Sequence, residues 1–204
     1  MEGIKNVIFD LGGVILNLDF KKAEKAFVDM GMSNFNDLFA SGQVKSFFHD
    51  YEIGKIDDTE FIAELRKAAG KDHADEHVIA AWNAMLADFP KERIDFLNGL
   101  KKKYRLFLFS NTNAIHLKSF RQSYTESFPE KMLDDHFETT YYSHEINQRK
   151  PNKEAFEYVL KQSNLKAEET LFIDDSLPNI EGAKLAGLHT IHLKPGMSIT
   201  ELGL

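Results

Sequence analysis

The stretch VIFDLGGVIL, residues 7–16, places one aspartate at the end of an apolar run, just before two glycines. Val7, Ile8 and Phe9 have the character of a buried β-strand, so Asp10 stands at or just beyond its carboxyl end. Open α/β sheets bind their ligands at that end of their strands. An Asx turn, in which Asp10 caps the strand exit, explains the ten residues equally well. The rest of the chain must decide between a site and a turn.

Five apolar or β-branched runs along the chain indicate strands. They are NVIFD (6–10), RLFLFSN (105–111), TTYYSHE (139–145), TLFIDD (170–175) and HTIHL (189–193). Between the last four, apolar residues recur at helical spacing, and Pro90 and Gly187 stand where a helix begins and where one ends. This alternation predicts an α/β fold with a parallel sheet and helices on both faces.

Residues 17–89 interrupt the alternation, because they carry apolar residues at helical spacing and little that resembles a strand. Their stripes are Phe20, Ala23, Phe27 and Met30, then Phe61, Ile62, Leu65 and Ala69, then Val78, Ile79, Trp82 and Met85. Asp57 and Glu60 predict a capping box before one of these helices. We therefore predict a small all-α helical-bundle cap, 17–89, inserted after the first strand of a core that consists of 1–16 and 90–204.

The composition narrows the classes of function. The 204 residues include no cysteine, which excludes disulfides and thiolate chemistry, and the net charge of −7 offers nucleic acid no general attraction. There is no run of about 18 apolar residues and no signal-peptide pattern. We expect a cytoplasmic protein, a monomer or weak homodimer, that binds neither nucleic acid nor a membrane.

Polar side chains stand at strand ends or in the loops that follow them. They are Asp10, Ser110 with Asn111, Lys150, and the pair Asp174 and Asp175. Because the carboxyl ends of parallel strands share one edge of a sheet, we expect these residues to converge on one crevice. The set suits phosphate chemistry: a carboxylate can attack phosphorus, paired carboxylates can hold Mg²⁺, and hydroxyl, amide and ammonium groups can hold phosphoryl oxygens. Each element alone is more often a turn or cap, so the combination carries the prediction.

Four stretches, in chain order, resemble the motifs of the haloacid dehalogenase superfamily of phosphotransferases. VIFDLGGVI resembles the first, with Asp10 as nucleophile, LFLFSNT the second with Ser110, RKP the third with Lys150, and TLFIDDSLPNIEGAKLAG the fourth with Asp174 and Asp175. The resemblance covers the whole chain and implies a Rossmann-like three-layer core, a helical cap, dependence on Mg²⁺ and an aspartyl-phosphate intermediate. The segments HDYEIGKIDDTEF (49–61) and SNTNAIH (110–116) look most like those of α-D-glucose-1-phosphate phosphatases.

The implied metal ligands are Asp10, the backbone carbonyl of Gly12, Asp175, and Asp174 either directly or through water. In the usual form of the fourth motif a further aspartate follows, and this chain has Asn179 there. The implied phosphate ligands are Ser110, Asn111 and Lys150.

Gly12 departs from the usual first motif, because most phosphatases of the superfamily have at that position a second aspartate that serves as general acid and base. Three explanations are open. Another residue transfers the proton, the leaving group is acidic enough to need little protonation, or the protein does not catalyse this reaction. His116 and the cap residue His49 are candidate donors, since histidine exchanges protons near neutral pH, and His49 is also a candidate substrate ligand. The second explanation suits α-D-glucose 1-phosphate, whose hemiacetal leaving oxygen is more acidic than an ordinary alcohol.

Three hypotheses remain. We favour a Mg²⁺-dependent phosphatase of a small phosphorylated metabolite, a sugar phosphate and first of all α-D-glucose 1-phosphate. A metal-independent 2-haloacid dehalogenase also lacks the second aspartate, but the pair Asp174 and Asp175 argues for a metal. A non-catalytic module that binds phosphorylated ligands or signals with them is the third; in response-regulator receivers the acidic pair precedes the phosphorylated aspartate, whereas here it comes last.

Overall fold

The computed structural model describes residues 3–32, 43–69 and 73–204. At its centre is a sheet of five strands, β1 (Asn6–Phe9), β2 (Arg105–Ser110), β3 (Thr139–Tyr142), β4 (Thr170–Asp174) and β5 (His189–His192). The strand order is β3-β2-β1-β4-β5, and every neighbouring pair is parallel. The five predicted strands and the α/β class are confirmed.

The described residues form nine α-helices. They are α1 (Phe20–Asp29), α2 (Gln43–Glu52), α3 (Asp58–Ala69), α4 (Asp75–Asn83), α5 (Lys91–Leu100), α6 (Ala114–Ser127), α7 (Ser143–Ile146), α8 (Lys153–Gln162) and α9 (Leu177–Leu185). None of these helices is both long and apolar enough to cross a membrane.

The side chains of β1 alternate between two apolar layers. Val7 and Phe9 belong to one buried cluster, which also contains residues of α5 and α6, whereas Ile8 belongs to another that contains residues of α8 and α9. Both faces of the sheet are therefore covered, which explains why its strands are continuously apolar in sequence. The result is the predicted three-layer arrangement.

Helices α1 to α4 form the predicted helical insertion, with an apolar core of their own around Phe27, Phe61 and Trp82. The two chain segments that connect it to the sheet lie side by side, since Asn17 and Ala87 are joined by a backbone hydrogen bond of 3.0 Å. The pairing lies close to the predicted limits of the cap. The division into 17–89 and the two core segments stays a prediction, and its residues 33–42 and 70–72 lie outside the described ranges.

Local sequence signals agree with the structure, with one correction. The backbone amides of Asp57 and Glu60 bond to each other's side chains at 3.1 and 2.9 Å, as a capping box requires, and Gly187 follows α9 with a φ of 86°. The run TTYYSHE is not a strand throughout. It ends at Tyr142, because the hydroxyl of Ser143 bonds to the backbone of the loop after β2 and the chain turns there into α7.

Candidate active site

A buried lysine joins two of the predicted site carboxylates. The Nζ atom of Lys150 lies 2.7 Å from Oδ1 of Asp10 and 2.7 Å from Oδ2 of Asp174. The side chains of Lys150 and Asp174 are fully buried, and the rings of Phe109 and Phe172 lie 5.4 and 5.3 Å from the ammonium. The structure thus brings together Asp10 after β1, Asp174 at the end of β4 and Lys150 in the loop after α7, at the edge of the sheet where the sequence places them.

Burial sets the charge states of this cluster. It raises the pKa of Asp10 to about 7; the ammonium of Lys150 opposes this shift and the carboxylate of Asp174 adds to it. Burial lowers the pKa of Lys150, but Asp10 and Asp174 outweigh it, so that pKa lies above its ordinary value. Lys150 therefore stays charged, and a divalent cation beside Asp10 would favour the ionised carboxylate that can attack phosphorus.

Asp174 is held in place by donors as well as by charge. The backbone amide of Ser176 donates to Oδ1 at 2.7 Å, and Nδ2 of Asn179 lies 3.1 and 3.0 Å from the two carboxylate oxygens. Asn179 thus orients Asp174 from the position where the resemblance implies an aspartate.

The predicted metal ligands are close enough to share one ion. Asp10, Asp174 and Asp175 each offer one carboxylate oxygen, and these oxygens lie within 4.8 Å of one another. Gly13 has a φ of 73°, and a Cβ atom there would overlap Oδ2 of Asp175. Oxygen ligands with Asp175 exposed to solvent fit Mg²⁺, which keeps some of its water when bound. The additional ligand predicted at the Gly12 carbonyl stays a prediction.

Two side chains fix the loops that carry the phosphate-binding candidates. Asn111 donates through Nδ2 to the carbonyl of Lys150 at 2.9 Å and accepts through Oδ1 from its amide at 3.0 Å. The hydroxyl of Ser143 similarly bonds to both backbone groups of Thr112. The side chain of Asn111 is thus committed to Lys150, which leaves the predicted phosphoryl contact at Asn111 to its backbone.

A cavity of about 470 Å³ opens between the helical insertion and the sheet edge. Its wall includes Gly12 and Ser110 on the core side and Trp82 and Met85 on the other. Leu18 lies against Gly12, since a Cβ atom at residue 12 would come within 2.7 Å of its Cδ1 atom. An apolar side chain therefore occupies the space beside Gly12. The volume of the whole cavity suits a small-molecule ligand.

These features place carboxylates, a lysine and a hydroxyl together at the carboxyl edge of a parallel sheet, under a helical insertion, a set of groups that suits phosphate chemistry. The haloacid dehalogenase-like hydrolase family matches residues 4–187 of the chain. The chain belongs to this family. The predicted recognition is confirmed, and the site residues described above all lie within the matched region.

Relatives of this haloacid dehalogenase-like hydrolase include named phosphatases. The chain is 32% identical over 193 residues to a D-ribitol-5-phosphate phosphatase of Bacteroides thetaiotaomicron, covering 95% of this chain and 93% of the relative. It is 24% identical to a sesquiterpene phosphatase of Aspergillus oryzae, covering 95% and 92%. A family enzyme of Bacteroides thetaiotaomicron, solved in complex with magnesium and inorganic phosphate, is 36% identical with a TM-score of 0.90, covering 98% of this chain and 100% of that one.

His116 lies in the cavity wall of this hydrolase, but its environment does not suit a proton donor. Its ring stacks on Trp82 with centroids 4.6 Å apart, and its Nδ1 atom lies 2.9 Å from Oδ1 of Asn83. Burial lowers the pKa of His116 to about 3. The imidazole is then neutral near pH 7, which disfavours the predicted role as general acid.

His49, the other predicted histidine, does not line the cavity. Its side chain is 42% exposed, and its Nδ1 atom lies 3.6 Å from a carboxylate oxygen of Asp50. Helix α2 presents Phe48 and Glu52 to the cavity instead. These two residues are four positions apart and share one face of the helix, from which the intervening His49 is rotated away.

Glu52 and Arg149 form a link that the sequence interpretation missed. Oε2 of Glu52 lies 2.9 Å from Nη2 of Arg149, the residue before Lys150, and both side chains are partly buried. Burial raises the pKa of Glu52 above its ordinary value, against the charge of Arg149. A hydrogen bond of 2.7 Å from Asn147 to the carbonyl of Ile53 lies alongside. The end of α2 is therefore joined to the loop that carries the site lysine.

Proposed function

We propose that this haloacid dehalogenase-like hydrolase is a Mg²⁺-dependent phosphatase of a small phosphorylated metabolite. The observation that carries the proposal is the ammonium of Lys150 between Asp10 and Asp174, with Asp175 close enough to share a cation with both. The phosphatase relative and the magnesium–phosphate complex of the family enzyme support it. We propose a sugar or sugar-alcohol phosphate as substrate, with α-D-glucose 1-phosphate and D-ribitol 5-phosphate as the first two compounds to test.

In the proposed first step, a carboxylate oxygen of Asp10 attacks phosphorus opposite the ester oxygen. The P–O bond to the leaving group breaks, and its electron pair leaves on the ester oxygen. Lys150, with the hydroxyl of Ser110 and the backbone at Asn111, offsets the charge of the phosphoryl oxygens. Asp10, Asp174 and Asp175 would hold Mg²⁺, which would supply the positive charge that lets a carboxylate approach a phosphate dianion.

In the second step, water attacks the phosphorus of the aspartyl phosphate. The bond between phosphorus and the Asp10 oxygen breaks, which releases inorganic phosphate and restores the carboxylate. Closing the cavity over this intermediate limits the access of bulk water to the site.

The leaving oxygen has no acid beside it at residue 12, where Leu18 fills the space. It takes its proton from water, so a leaving group that is itself fairly acidic reacts more readily. This argument favours the hemiacetal oxygen of α-D-glucose 1-phosphate over the primary alcohol of glucose 6-phosphate or D-ribitol 5-phosphate.

The test is phosphate release from α-D-glucose 1-phosphate, glucose 6-phosphate, D-ribitol 5-phosphate and phenyl phosphate, with Mg²⁺ or with a chelator. We expect release that requires Mg²⁺ and a preference for the 1-phosphate over the 6-phosphate. A preference for D-ribitol 5-phosphate would keep the phosphatase and overturn the leaving-group argument. Metal-independent halide release from a 2-haloacid would indicate a dehalogenase, and Mg²⁺ binding without any release would indicate a binding module.

A further inference from the structure

The ring of His116 has a fixed orientation in the cavity wall. One face stacks on Trp82, with an interplanar angle of 13°, and Nδ1 bonds to Asn83 at 2.9 Å. At the start of α6, the backbone amide of His116 donates to Oδ1 of Asn113 at 3.0 Å. The two ring contacts, both from the helical insertion, fix the ring, while the backbone bond to Asn113 fixes the start of α6, so the second ring nitrogen points in one direction.

That second nitrogen is a hydrogen-bond acceptor. Oδ1 of Asn83 can only accept, so the hydrogen of the neutral ring lies on Nδ1 and the lone pair lies on Nε2. Among the residues that the structure describes, Nε2 has no hydrogen-bond partner, and it is not one of their fully buried unpaired atoms, so it keeps access to the open space that His116 lines. An accessible acceptor at the cavity wall can take a hydrogen bond from a donor on the occupant of the cavity.

The rest of the wall indicates what that donor is. Leu18 and Met85 make part of the cavity wall apolar. This part of the wall favours CH groups of the ligand over charged groups. Glu52 also lines this cavity, and its carboxylate, which pairs with Arg149 through Oε2, is a further acceptor. Acceptors in a largely apolar wall match neutral hydroxyl groups. Lys21 and Glu24 add one charge of each sign to the same wall, so together they offer a second anionic group no net attraction.

We propose that His116 is a specificity-determining residue whose Nε2 atom accepts a hydrogen bond from a hydroxyl group of the leaving group. This proposal rests on the proposed phosphatase function and names its substrate class: phosphate esters of neutral, hydroxyl-bearing alcohols. Selectivity follows because a substrate without that hydroxyl leaves Nε2 without this hydrogen bond.

The test compares His116→Phe, which keeps an aromatic ring but has no acceptor, with wild type and with His116→Gln, which restores an acceptor. His77→Phe is the matched control, because His77 is exposed on α4 and does not line the cavity. Since His116→Phe leaves Oδ1 of Asn83 without its donor, a double variant with Asn83→Leu is prepared in case the single variant does not fold. The substrates are α-D-glucose 1-phosphate, D-ribitol 5-phosphate, the monodeoxy analogues of each, and phenyl phosphate.

We expect wild type to lose about tenfold in kcat/KM for at least one monodeoxy analogue, the effect of one lost hydrogen bond. In His116→Phe the ratio of kcat/KM for the parent substrate to that for the monodeoxy analogue falls toward one. The preference for the hydroxylated substrate over phenyl phosphate falls by a similar factor. His116→Gln recovers part of the preference, and His77→Phe behaves as wild type. The dependence of kcat on pH between 5 and 8 keeps its shape in all variants.

Two results would overturn the proposal while leaving the phosphatase intact. An unchanged preference in His116→Phe would show that His116 only packs. An equal fall in kcat for every substrate, together with the loss of a limb of the pH profile, would show that His116 transfers a proton. If wild type released no phosphate from any substrate with Mg²⁺, the proposed function itself would fail, and this proposal with it.

Discussion

The Nζ atom of Lys150 lies 2.7 Å from a carboxylate oxygen of Asp174, and both side chains are fully buried. The same ammonium contacts Asp10 at the same distance. One positive charge therefore serves two buried carboxylates, and a divalent cation at Asp10, Asp174 and Asp175 would supply the charge that is still missing. The lysine and the metal are thus expected to support the same carboxylates in folding as well as in catalysis.

Replacing Lys150 with methionine tests this dependence. Removing one partner of a buried ion pair typically costs about 3–5 kcal/mol, because the other charge stays buried without compensation. We expect a loss of that order in the free energy of unfolding with chelator present, and a smaller loss with Mg²⁺. Denaturant unfolding measures it, with Lys153→Met as control because Lys153 is exposed and pairs with Glu157. Equal effects of the two substitutions would contradict the role of Lys150.

Gly13→Ala tests the packing of Asp175. The φ of 73° strains any other residue, and the added Cβ overlaps Oδ2 of Asp175, so the carboxylate must move. We expect weaker Mg²⁺ binding by at least tenfold, measured by calorimetric titration. Gly187→Ala is the matched control, since its φ is 86° but its Cβ would meet no atom closer than 3.4 Å. If both variants bound Mg²⁺ as wild type does, Asp175 would not be a metal ligand.

The ion pair between Glu52 and Arg149 predicts coupling between the helical insertion and the core. We expect Glu52→Gln and Arg149→Met each to raise KM for the substrate several-fold, because the end of α2 loses its contact with the loop of Lys150. Each variant removes the same interaction, so the double variant is expected to be little worse than either one, with a coupling energy of about 1 kcal/mol. Strictly additive effects on kcat/KM would show that the two side chains act independently.

His116 also predicts an acid-side loss of stability. Its pKa is lowered to about 3 in the folded protein from 6.5, so the unfolded chain binds one more proton between these values. The free energy of unfolding therefore falls as pH falls through that window, by about 2 kcal/mol for this one group between pH 7 and pH 5. Urea unfolding at both pH values checks it: His116→Phe is expected to lose less stability than wild type on acidification. An identical loss would mean that His116 is not buried in its neutral form.

The sheet edge of the site was predictable from sequence for a physical reason. Parallel strands end at one edge, so Asp10 and Asp174 had to approach each other once the strands were recognised. Lys150 lies beyond α7, and its place in the site was implied by the family resemblance. The paired acidic residues at the end of β4 then indicated a cation. None of these inferences needed knowledge of how the helices pack.

The cavity wall was not predictable, because it depends on how the helical insertion lies on the core. The proton chemistry of histidine selected His49, whereas the orientation of α2 presents Glu52 to the cavity. From the sequence alone, Gly12 indicates only that an acidic side chain is missing at this position. The fold also shows that Leu18 occupies the adjoining space. The neutral state of His116 likewise follows from burial against Trp82, which joins residues far apart in sequence.

The central claim is that Asp10 attacks a phosphate ester with the help of Mg²⁺. Its most direct test is the rate of phosphate release from α-D-glucose 1-phosphate or D-ribitol 5-phosphate by wild type and by Asp10→Asn, each with Mg²⁺ and with a chelator. We predict that wild type releases phosphate with Mg²⁺ but not with the chelator. In Asp10→Asn we predict that the rate of release falls at least a thousandfold although that variant stays folded. Release that persists in Asp10→Asn, or that is unaffected by the chelator, would contradict the claim.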